Sequence, residues 1–141
     1  MVKSCFFGLL FSLMAMSLAA QKTLVWQTLS MTTYKEDLET GKMKPEFPMI
    51  LLSQYENEEV VITGYLIPID IEAQRYALSK NPFSSCFFCG NAGPETVIEL
   101  KFAEDPGRFA TDRYLPIKGR LRLNRNGQEL FFTLLEAAVA G

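Results

Sequence analysis

The chain has 141 residues, 48% of them hydrophobic, with 14 basic against 16 acidic side chains and no histidine. So mild an acidic balance leaves no electrostatic footprint for nucleic acid or anionic lipid, and the missing histidine removes the commonest general base and the commonest nitrogen ligand for zinc or copper. A chain of this size, without repeats or low-complexity tracts, suits one small globular domain with a single core.

Met1-Val2-Lys3-Ser4-Cys5 opens the chain, an apolar run follows from Phe6 to Leu18, and Ala19-Ala20-Gln21 closes it. A positive start, an apolar stretch and a small-residue exit are the layout of a secretion signal over residues 1–20. The run of about 13 residues falls short of the roughly 20 that span a bilayer. The expectation is export of a bacterial type, to the periplasm, with no stable membrane span once the signal is cleaved. Cys5 precedes the apolar run instead of following it, so it is not placed for lipid attachment and leaves with the signal. Loss of Lys3 leaves 13 basic and 16 acidic residues, a net charge of −3.

Residues 21–58 read as an N-terminal arm or linker. Thr23 to Thr33 is rich in β-branched and apolar residues and reads as an entry strand or a pinned extended arm whose single tryptophan, Trp26, packs on the core. Tyr34 to Pro48 is charged, holds Gly41, Pro45 and Pro48, and shows no sustained period, which reads as a loop or marginal helix. Met49 to Tyr55 reads as a short apolar turn.

Residues 59–141 read as the barrel domain. Val60 to Asp70 is a first strand, with Gly64 in its middle as a bulge or bend. Arg75 to Ser79 and Thr96 to Phe102 are the second and third. In Tyr114 to Asn124 the residues Leu115, Ile117, Gly119, Leu121 and Leu123 share one face and Lys118, Arg120 and Arg122 the other, as in a half-buried strand with a solvated basic stripe. Asn126-Gly127 supplies a two-residue hairpin turn into a last strand from Glu129 to Val139. Asp105-Pro106 is the start signal of a short helix between the third and fourth strands. The order predicts an all-β chain folded as a five-stranded OB-like barrel, a small sandwich being the alternative.

The segment from Lys80 to Val97 carries the only chemically pointed motif, Cys86-Phe87-Phe88-Cys89-Gly90, with Phe83, Asn91 and Glu95 around it. In an exported chain the pair reads first as a disulfide staple. Two thiolates at this spacing are also half of a zinc or copper(I) site, completed by Glu95, Glu99, water or the same pair of a second subunit. A redox dithiol is the third reading, although no helix begins at the motif to activate a thiolate. An aromatic binding site on Phe83, Phe87 and Phe88 is the fourth, against plain core or dimer packing of those rings. Haem attachment is excluded, because Gly90 stands where a histidine would follow Cys89. Asp70, Glu72, Glu95 and Glu99 show no acid/base spacing, so a binding protein is expected in preference to an enzyme.

Trp26 and Leu29, then Gly64, Tyr65 and Pro68, then the cysteine loop, together resemble an uncharacterised family of small exported bacterial proteins over about Trp26 to Val139. Many relatives carry Cys-x-His where this chain has Cys86-Phe87-Phe88-Cys89-Gly90. The resemblance implies an OB-like barrel, export, and an association of some relatives with ABC-type permeases of metal handling. The resulting expectation is a periplasmic binding module. Cys86 and Cys89 are its metal or disulfide pair, Phe87, Phe88, Gly90, Asn91 and Glu95 its binding residues, zinc or copper its possible cofactor, and an envelope transport protein or a second copy its partner.

Overall fold

The computed structural model describes residues 21–141, and the signal expected over residues 1–20 lies outside them. Five strands close a barrel: β4 (Glu59–Asp70), β5 (Arg75–Ser79), β6 (Val97–Phe102), β7 (Arg113–Leu123) and β8 (Phe132–Val139), in the order β4-β5-β6-β8-β7 with β7 returning to β4. β6 and β8 pair parallel and the other barrel neighbours antiparallel. This is the strand order of an OB-like barrel, and the sandwich alternative is not adopted. Along β7 the inward residues Leu115, Ile117, Gly119, Leu121 and Leu123 are buried, while Lys118, Arg120 and Arg122 face outward, as the period-2 pattern requires.

Gly64 departs from its expected role. It sits in unbroken register opposite Leu115, and the irregularity in β4 falls later, between Pro68 and Asp70. What demands glycine is close approach: a Cβ at position 64 would lie 2.7 Å from the Ser79 carbonyl oxygen and 3.0 Å from Cζ2 of Trp26. The indole is half-buried there and donates from Nε1 to the Thr63 carbonyl at 2.8 Å.

The arm before the barrel is built differently from its expectation. A two-residue strand β1 (Lys22–Thr23) pairs parallel with β4, and the chain then makes a single helical turn, α1 (Trp26–Leu29). Tyr34 to Pro48 is neither loop nor helix but contains a hairpin, β2 (Thr33–Glu36) with β3 (Met43–Glu46). Nearly all of its residues are exposed, so no hydrophobic alternation marks it in the sequence. Leu51–Tyr55 forms a π-helical turn. Leu24, Leu29 and Leu51 are buried in the same cluster as Ile62, Leu78, Ile98, Ile117 and Phe132 of the barrel.

Two further expectations are corrected. No helix forms between β6 and β7: Asp105 accepts the Gly107 amide in a side-chain turn, Gly107 takes φ +71°, and the Tyr76 hydroxyl accepts the Phe109 amide. A left-handed glycine two residues after Asp105 ends a helix before it starts. The β7–β8 hairpin exists, but not through a two-residue Asn126-Gly127 turn. Asn124 closes a longer loop, its amide donating to the Phe131 carbonyl and its Nδ2 to the Leu130 carbonyl and the Thr133 hydroxyl. Among the described residues no helix is long and apolar enough to cross a membrane.

Candidate functional site

The β5–β6 connection is a chain of single 3-10 turns, Phe83–Ser85, Phe87–Cys89 and Pro94–Thr96. Short turns follow from its composition, since Pro82, Gly90, Gly93 and Pro94 punctuate the segment too often for a longer helix. Cys86 lies between the first two turns and is fully buried, whereas Cys89 is exposed. The Cys86 carbonyl accepts the amides of Cys89 at 3.2 Å and Asn91 at 3.3 Å, and Gly90 ends the turn at φ +75°, where only glycine is unstrained. The Asn91 side chain donates to the Ser84 carbonyl at 2.9 Å, tying the two turns together.

The sulfurs stand 3.9 Å apart, and the Cys89 thiol donates to the Phe83 carbonyl at 3.0 Å. Desolvation by the surrounding loop, and next the neighbouring Cys86 thiol, push the Cys89 thiol above its ordinary value. No α-helix begins at the motif, so no helix N-terminus acts on the pair.

The remaining expected residues divide. Phe87 and Phe88 meet edge to face, 5.5 Å between centroids, with Phe87 half-buried and Phe88 exposed. Gly90 and Asn91 belong to the same turn as the sulfurs. Glu95 does not: its side chain folds back over Gly93, and its Oε2 is buried without a hydrogen-bond partner. Glu99, on β6, is held by Arg75 at 3.2 Å and Lys101 at 3.8 Å. Among the described residues no group of three or more cysteines and carboxylates is placed to hold a metal ion.

Phe88 connects the loop to a larger feature. Together with Ile69, Arg75, Glu99, Lys101 and the β7–β8 loop from Gly127 to Leu130 it lines an open groove of about 480 Å³. Glu129, at the groove's edge, meets Arg122 at 3.6 Å. A recess of about 400 Å³ lined by Phe102, Phe109, Ala137 and Val139, with Glu104 and Asp105 alongside, contains no residue of the cysteine loop. Sequence reasoning missed Arg75 and Lys101 as site residues, because nothing local shows that they converge on Glu99. It also missed Asp112, whose carboxylate accepts the Phe83 amide at 2.7 Å and anchors the loop to the start of β7.

The barrel has a solved counterpart. The crystal structure of a DUF3299 family protein from Pseudomonas aeruginosa PAO1 superposes with a TM-score of 0.57 at 14% identity, covering 86% of this chain and 97% of that one. At that identity the likeness shows the fold. No family model matches the chain, and no curated protein does. The counterpart's family is itself a domain of unknown function, as the resemblance to an uncharacterised family implies at the coarse level.

Proposed function

We propose that this chain is an exported, periplasmic binding module that docks an envelope transport protein through the groove beside the Cys86/Cys89 loop. The observation that carries the reading is the rim: an exposed Phe88 set against the Arg75–Glu99–Lys101 charge ladder and the β7–β8 loop. An aromatic anchor bordered by oriented charges is the composition of a recognition surface. Envelope transport is what the resemblance suggests; two of the residues that carry it meet in the fold, where Trp26 lies against Gly64 and donates to the Thr63 carbonyl. A metal held within one chain is the weaker reading, because Glu99 is paired with Arg75 and Lys101 and, among the described residues, no third carboxylate or thiol joins the two sulfurs in one cluster.

The test places a photo-crosslinking residue at position 88 of the exported chain in cells, with position 118 on the outer face of β7 as control. One envelope transport protein, identified by mass spectrometry at position 88 and absent at 118, is the expected result. Equal labelling at both positions overturns the docking face. Native mass and elemental analysis of the purified protein check the other reading: zinc or copper near one per chain would replace docking with metal binding.

A further inference from the structure

We propose that Cys86 and Cys89 form a redox site whose closure to a disulfide resets Phe88 and so gates the groove. The inference rests on reading that groove as a docking face, but its chemistry is carried by the loop itself.

The first observation is proximity. The amide of Cys89 bonds the carbonyl of Cys86 at 3.2 Å, so the two residues span one turn, a separation below about 7 Å that a disulfide bridges. Their sulfurs are 3.9 Å apart, and bond formation at about 2.05 Å asks for roughly 2 Å of movement. The second observation is asymmetry, with Cys89 open to solvent and Cys86 buried. Cys89 is therefore the thiol an oxidant meets, and Cys86 the thiol that resolves the adduct.

The oxidant is a disulfide, small or protein-borne. The Cys89 thiolate attacks one of its sulfurs and expels a thiolate, leaving a mixed disulfide on Cys89. Cys86, as thiolate, attacks the Cys89 sulfur and expels the second thiolate. The protein loses two electrons and two protons, and the oxidant leaves as two thiols.

The third observation is what closure must undo. A disulfide carries no S–H, so the bond from Cys89 to the Phe83 carbonyl is lost, and that carbonyl keeps only the Cys86 amide at 3.3 Å. The flanks are held from outside the pair: Asp112 holds the Phe83 amide, and Asn91 holds Ser84. Movement is therefore confined to the turn from Phe87 to Cys89, with Gly90 as its hinge. Phe88, in the middle of that turn, is the loop's contribution to the groove.

The experiment equilibrates the mature chain with reduced or oxidised glutathione, reads its intact mass, and follows backbone amide resonances in both forms. The expected form under oxidised glutathione is lighter by two hydrogens, and shifts appear at Phe87 to Asn91 and at Arg75, Lys101 and Gln128 across the groove, with none at Val61 or Lys118. Cys86→Ser is expected to stop at a glutathione adduct on Cys89. Cys89→Ser, a change at an exposed position, is expected to stay unmodified and unshifted. Crosslinking from position 88 is then expected to differ between the two forms by about fivefold or more. Thiols that remain free under oxidised glutathione overturn the proposal, as does a disulfide that leaves the groove resonances unchanged. The resonances need no partner, so a failure of docking shows separately, as absent crosslinks in both forms.

Discussion

Gly64 shows how one residue serves two neighbours at once. With no side chain, β4 admits the indole of Trp26 on one side and the backbone of β5 on the other, each within about 3 Å of where a Cβ would stand. Gly64→Ala is expected to destabilise the fold by about 1–3 kcal/mol, the usual cost of forcing a methyl into filled space. Denaturant unfolding followed by Trp26 fluorescence measures it, and the native emission should shift as the indole is displaced. An unchanged midpoint would mean that Trp26 yields without cost. The need for glycine was visible in the sequence, whereas its reason was not, because Trp26 and Ser79 lie 38 and 15 positions away in the chain.

At the scale of elements, the turn of the β2–β3 hairpin is tied by side chains. Lys44 pairs with the Asp37 carboxylate at 2.9 Å, and the amides of Glu39 and Thr40 donate to it. The Lys44 contact first, and those amides next, hold the Asp37 carboxyl below the ordinary carboxylate value. A carboxyl depressed in the folded state adds stability that is present above its unfolded pKa and lost as pH falls through the folded one. The Glu39 and Thr40 amide resonances are therefore expected to titrate with a midpoint below that of a free aspartate. Asp37→Asn should abolish that titration and speed amide exchange in residues 33–46, leaving the barrel strands protected. Exchange unchanged in the hairpin would assign its stability to packing instead. This element escaped the sequence reading because β-periodicity is legible only where one face is buried.

For the whole molecule, the boundary expected between an arm and a barrel at residue 58 does not divide the core. Leu24, Leu29 and Leu51 are as fully buried as the barrel's own residues. Leu29→Ala is expected to cost about 2–5 kcal/mol. Far-ultraviolet circular dichroism and Trp26 fluorescence should then report one shared unfolding transition. Two separated transitions would restore an independent arm. The groove, too, belongs to this scale, since it needs β4, β5, β6, the cysteine loop and the β7–β8 loop together.

From the residues alone the five barrel strands were legible to within a few positions, as was the three-residue spacing that lets Cys86 and Cys89 act as a pair. Both rest on local rules, a two-residue side-chain period and the short reach of four consecutive residues. The fold as a whole sets the burial of Cys86 and the exposure of Cys89, seats the Glu95 side chain over Gly93, and brings Arg75 and Lys101 together on Glu99 beside Phe88. Burial and convergence depend on which distant strands pair when the barrel closes, and no spacing along the chain encodes that pairing alone.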